Sequence, residues 1–346
     1  MTRGATPISH GRGPLSALPA NRSQGSAVHA AVTPEGTPAT SGPATSGPAG
    51  DERAALVAAG AAAQAPAENF PVALRMLPAR YRRHLMAVYR FARTVDDIGD
   101  EALPAVTEAP LTATTEQDVT KHRLHLLDEL DHDIARLYAG AAPGNEVIAQ
   151  LAPTVTECGV PAQLFQDLIQ ANRQDQRVTR YRTFDDLAGY CRLSANPVGR
   201  IVLYVFGAFT PQRASLSDHV CTALQLAEHW QDVAEDYANG RIYLPTEDLD
   251  AFHCPEADLA EPTTSPKVRA LMSCQVVRAS ALLDAGSPLI GSLRGAGRLA
   301  VAGYVAGGRA ALAAIESAGH DVLAATPHPR QRRLVAELAK AYLRGR

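Results

Sequence analysis

Two short runs of this chain carry acids and other polar residues at spacings that could do chemistry. In the first, Tyr89, Arg93, Asp96 and Asp100 stand at i, i+4, i+7 and i+11. In the second, Gln225, Glu228, Asp232 and Asp236 stand at i, i+3, i+7 and i+11. On an α-helix each set falls along one stripe. Aspartate is a poor helix-interior residue because its side chain competes for backbone hydrogen bonds, and two aspartates a turn apart repel. Such stripes call for a compensating cation. If the two helices face each other, their carboxylates form an oxygen-only cage. Magnesium suits it best, because it takes carboxylates, waters and phosphate oxygens together. Several such ions would hold a diphosphate and make it a better leaving group, so that a carbocation could form without a protein nucleophile. Arg93, one turn from the first pair, and Arg241, just after the second, could reach the phosphate directly. One Asp-x-x-x-Asp is a weak signal, and the competing reading is two solvated acidic faces that bind nothing.

The elements that must position these residues read as helix after helix. Residues 80–100 place Leu85, Val88, Ala92 and Val95 on the face beside the polar stripe. A charged amphipathic helix over 116–139 follows, then helices to Cys158, where Gly159 is a stop signal, and over 161–173. Thr183 and Asp186 make a capping box that opens a helix predicted to run to Phe209. Pro211 reads as its end, and Ser215 and Asp218 as the start of a helix to Ala238. Leu224, Ala227 and Val233 are the apolar neighbours of its acids, and Glu235 is predicted to point outward. Residues 251–266 read as a loop, and 267–285, 292–317 and 328–344 as the last helices. No sustained alternation signals a strand. The expectation is an all-α bundle.

Residues 1–55 are dominated by Ala, Gly, Pro, Ser and Thr, with too little to bury against the entropy of ordering, so they read as a disordered arm. The arm has no apolar core of a secretory signal, though its arginines and serines would also suit a transit peptide. Residues 56–346 are read as one helical domain. A net charge of −3 points to no nucleic-acid partner. The five cysteines, odd in number and with no C-x-x-C, favour free thiols in a reducing cytoplasm. No stretch reads as membrane-spanning; the longest strongly apolar run is 201–209. Any membrane contact would be peripheral. The arginines at 330, 332, 333, 344 and 346 could favour an anionic surface.

At this level the chain resembles the squalene/phytoene synthase family. ENFPVALRMLPARYRRHLMAVYRFARTVDDIGDE (68–101) is similar to its first signature, QLAEHWQDVAEDYANGRIYLP (225–245) to its second, and YCRLSANPVGR (190–200) to its substrate-channel segment. The wording ENFPV, SANPVG and HWQDVAED resembles the bacterial hopanoid-pathway branch, the hydroxysqualene synthases. The resemblance implies the isoprenoid synthase helical bundle around a central cavity. It implies Asp96, Asp100, Asp232 and Asp236 as magnesium ligands, with Glu228 at a ligand position. Tyr89, Arg93, Arg241 and Tyr243 match positions that contact diphosphate or support the reaction, and Gln225 a polar position of the second motif. Asn69, Phe70, Asn196 and Gly199 fall in segments that meet substrate; for Asn196 and Gly199 a helix kink is the plainer reading. The branch implies ionisation of presqualene diphosphate and water capture of the rearranged cation, giving hydroxysqualene for squalene and hopanoid biosynthesis. That chemistry needs no NADPH, and its partners would be the enzymes before and after it in the pathway.

Two departures matter. Relatives commonly carry Asn where this chain has Glu228, which adds charge and length. Gln231 stands where phytoene and squalene synthases often have Arg, arguing against the full two-step farnesyl condensation. Alternatives are a condensing enzyme that joins two farnesyl diphosphates, a non-catalytic binding relative, and a di-iron bundle. The last rests on Glu129 and His132 alone, a half motif better explained by a solvated face.

Overall fold

The computed structural model describes residues 77–100 and 115–344. The arm assigned to 1–55 lies outside the described residues, as do Asn69 and Phe70. Helix α1 (Ala79–Asp100) is continuous. It turns Leu85, Val88, Phe91 and Val95 into the core, as the periodicity predicts. Helix α2 (Glu116–Tyr138) starts at Thr115, whose side chain accepts the Asp118 N–H. Two short helices, α3 (Glu146–Ala149) and α4 (Ala152–Cys158), lead to Gly159 at φ +66°, the left-handed stop its position predicts. Helix α5 (Ala162–Asp175) packs against α1 and α2. Phe91 and Phe165 meet edge to face at 5.2 Å in this half of the core, each ring stabilising it by about 1.5–3 kcal/mol through burial.

The other half is built on α6 (Phe184–Ser194), α7 (Asn196–Val205) and the long α8 (Pro211–Gln231). The Thr183–Asp186 capping box is present as expected. The helix expected to reach Phe209 is divided at Ala195, with Pro197 in the first turn of α7. Pro211 starts a helix rather than ending one. It occupies the first turn, where its missing N–H costs nothing, and Thr210 caps it, so Ser215 lies inside α8. The helix expected to run to Ala238 breaks at Asp232 (φ −106°, ψ 19°) and resumes as α9 (Val233–Ala238). Backbone bonds Asp232 N→Glu228 O (3.1 Å) and Asp236 N→Asp232 O (2.8 Å) cross the break, so the axis kinks while the chain stays coiled.

Beyond α10 (Thr246–Ala251) and a 3₁₀ turn (Glu256–Ala260), α11 (Pro266–Gly286) packs along α8. The short α12 (Leu289–Ser292) precedes α13 (Gly295–Ser317), and α14 (Gln331–Arg344) lies along α13. Among the described residues, extended structure is limited to an isolated parallel bridge between Arg180 and Ile242.

Contrary to the sequence expectation, α13 is long and apolar enough to cross a membrane, but 56% of its apolar window is buried inside the protein. It serves as a core helix. One face of it, with Ala300, Gly303, Tyr304 and Gly307, is partly accessible. Among the described residues, a Cβ at Gly303 or Gly307 would meet nothing within 4 Å. Burial raises the pKa of the Tyr304 hydroxyl on this face, and the nearby Cys221 acts in the same direction. Cys221 shares a stripe of α8 with Gln225, Glu228 and Asp232.

Candidate active site

The two acidic stripes approach each other. Glu228 of α8 has its carboxyl pushed up by desolvation, then by Asp232 of its own helix and by Asp96 of α1. Its side chain is nevertheless accessible. Glu228 is thus reached by solvent and partly desolvated by the protein around it, which disfavours its charged form. Asp232 is raised by desolvation and by Glu235, with His328 acting the other way. Asp236 is pushed up to about 7 by desolvation, then by Asp232, while Arg241 partly offsets it. Glu235 itself is exposed, as expected.

On the α1 side, Asp96 accepts a hydrogen bond from Asn172 Nδ2 of α5 at 3.2 Å. Gly99 permits this contact, since a Cβ there would lie 2.1 Å from Asn172 Oδ1. Gln176 Nε2 donates to the Gly99 carbonyl at 3.0 Å. Arg93 Nε pairs with Asp97 at 2.8 Å. Tyr89 and Arg93 line an open groove with Arg90, Glu146 and Gln150. The Asp100 side chain lies outside the described residues.

On the α8–α9 side, His229 is 8% exposed and stacks on Tyr243 with centroids 3.6 Å apart. Its Nε2 lies 3.2 Å from Gln225 Nε2, and its Nδ1 lies 3.9 Å from Asp236 Oδ2. Burial and Arg241 push its pKa down to about 3, so the imidazole is neutral. Gly240 at φ +80° reverses the chain, and Arg241 N bonds the Asp236 carbonyl at 2.8 Å. Tyr190 donates to the buried Asp175 at 2.7 Å, and Tyr181, Tyr190 and Tyr243 pack as one aromatic cluster. Burial and Asp175 hold the Tyr190 and Tyr243 hydroxyls protonated. Helix α5, carrying Asn172 and Asp175 one turn apart, thus links the first acidic helix to the second.

Asn196 and Gly199 serve packing. Asn196 is buried and accepts from Thr222 at 3.0 Å; a Cβ at Gly199 would come within 2.4 Å of Ser217 Oγ and Cys221 Sγ. Sequence reasoning passed over Asn172, Asp175, Tyr190 and His229. Tyr190 opens the segment YCRLSANPVGR and could have been found there, and His229 stands inside the second motif. Nothing marks Asn172 or Asp175 short of the folded contacts. Glu129 and His132 are exposed, as a solvated face requires. All five cysteines are free.

The donor set suits magnesium by its chemistry. Asp96, Glu228, Asp232 and Asp236 are oxygen donors that raise one another's cost of ionisation, which a hard cation would relieve. Among the described residues, no three His, Cys, Asp or Glu side chains already converge on one point.

Residues 63–338 match the family model described as squalene/phytoene synthase, and the chain belongs to that family. Its fold is the all-α isoprenoid synthase bundle. The solved squalene synthase HpnC from Alicyclobacillus acidocaldarius is 38% identical, with a TM-score of 0.64, covering 78% of this chain and 96% of that one. The hydroxysqualene synthase of Rhodopseudomonas palustris is 34% identical over 66% of this chain and 72% of its own length. The phytoene synthase of Mycobacterium tuberculosis is also 34% identical, over 53% of this chain and 55% of its own. Members of the family act on prenyl diphosphates, and the chain falls in that class of synthases.

Proposed function

We propose that the protein ionises presqualene diphosphate with magnesium and lets water capture the rearranged cation, forming hydroxysqualene. The observation that carries this reading is the proximity of acids from two helices: Glu228 is raised by desolvation, then by Asp232 of its own helix and by Asp96 of α1. Asp96, Asp100, Glu228, Asp232 and Asp236 would hold the ions. Magnesium supplies charge neutralisation for a departing diphosphate. Arg241, beside Asp236, adds a fixed positive charge at that end. Tyr190 and Tyr243, kept protonated by burial, can donate but do not act as bases.

The similarity to the hydroxysqualene synthase of R. palustris supports this branch. The equal identity to a phytoene synthase favours one second reading, condensation of two farnesyl diphosphates. Incubation with each diphosphate, magnesium and no NADPH, followed by mass spectrometry, separates them. Hydroxysqualene from presqualene diphosphate is the expected product. Presqualene diphosphate accumulating from farnesyl diphosphate would replace the first reading with the second.

A further inference from the structure

His229 faces three of the residues assigned above, Gln225, Asp236 and Tyr243, without being one of them. It lies on α8 one turn after Gln225, and its ring reaches across the kink at Asp232 toward Asp236 on α9. The ring cannot swing freely: it is buried, and Tyr243 covers one face at 3.6 Å with an interplanar angle of 12°. Its two nitrogens face different partners. The Gln225 side-chain amide donates to Nε2 at 3.2 Å, which makes Nε2 the acceptor and puts the ring proton on Nδ1. Nδ1 then presents its N–H to Asp236 Oδ2 at 3.9 Å, just outside hydrogen-bond range and reachable by a small rotation of the carboxylate.

From this geometry we infer that His229 is a positioning residue: through Nδ1–H it holds one oxygen of Asp236 and turns the other toward the cavity for a cation. The kink gives the device its purpose. A break in the helix loosens the angular relation between Asp232 and Asp236, and a side chain anchored before the break restores it. Histidine–carboxylate pairs beside metals act in this way, fixing the direction of a ligand. Gln225 acts one step further out, by fixing the tautomer.

The inference rests on the proposed magnesium site, and the test separates the two. Calorimetry of Mg2+ binding in the presence of inorganic diphosphate reads the site without turnover. His229→Phe keeps an aromatic ring over Tyr243 and removes both nitrogens. It is expected to weaken Mg2+ binding by ~10–100-fold with helical circular dichroism unchanged. His229→Asn, whose amide nitrogen sits where Nδ1 does, should recover most of the loss. Gln225→Leu, which leaves the histidine in place, should weaken binding by several-fold and guards against misfolding of the Phe variant. Binding by His229→Phe within twofold of the native protein, or no recovery in His229→Asn, overturns the positioning role alone. A native protein that binds no Mg2+ with diphosphate overturns the magnesium site as well.

Discussion

The two acid-bearing helices bring their carboxylates toward one another by different constructions. Helix α1 is unbroken, and its Asp96 is exposed and steadied from outside by Asn172 of α5. The α8–α9 segment is kinked at its own acid, Asp232, and carries its support internally, in His229 and Tyr243. The first motif borrows its order from a neighbouring helix, whereas the second makes its own by burying aromatic and imidazole rings beneath the carboxylates. The price of the second construction is electrostatic: Asp232 and Asp236 both have raised pKa values. Cations bound beside these acids would offset the cost that burial imposes on their charged forms.

The contrast can be broken most directly by removing one acid from each side. Asp96→Ala and Asp232→Ala should each lower turnover by ~100-fold or more while circular dichroism stays helical. Loss of helicity would mean that these acids hold the fold. A smaller effect should follow from the borrowed support. Gly99→Ala places a methyl group against Asn172 Oδ1 and should reduce kcat/KM by ~10-fold, at a stability cost of ~1–3 kcal/mol. Asn172→Ala should reproduce the kinetic loss without the steric one, and an unaffected kcat/KM in both variants would remove α5 from the site.

The buried side gives a pH signature. Native Asp236, with its pKa raised to about 7, keeps a proton that the unfolded chain releases near its ordinary 3.8. Stability is therefore greatest below that lower value and declines as pH rises through about 7. Metal-free protein should melt about a few degrees lower at pH 8 than at pH 6, and Asp236→Asn should flatten the difference. A melting temperature that climbs over that interval in the native protein and not in the variant would contradict the raised pKa. The smallest effect is expected at Glu228. Glu228→Asn should keep turnover and shift the magnesium requirement by only ~2–5-fold. A large gain in turnover would instead support the non-catalytic alternative for the native chain.

Much of the architecture was legible because helical periodicity and caps are local signals. The Thr183–Asp186 box and the Gly159 stop lie where the sequence puts them. Pro211 was misread because proline is compatible with both ends of a helix, and only the Thr210 cap decides. The kink at Asp232 has no local cause that can be read from residue types. The acidic stripes were visible because charges at helical spacing are conspicuous. Their supports were not, because Asn172 and Asp175 matter only through contacts with residues 96 and 190, far away in the chain. His229 looked like one more residue in a motif until its two partners were seen.

The open face of α13 has a thermodynamic implication. Gly303 and Gly307 sit inside a long helix, where alanine would be favoured by roughly 1 kcal/mol at each position, and neither is pressed by a neighbour that would forbid a methyl group. The helix forgoes that gain twice, and among the described residues nothing occupies the space a methyl group would take. The small-residue face of this helix is thus kept against the preference of the backbone, and each methylene added there would fill the space beside Tyr304.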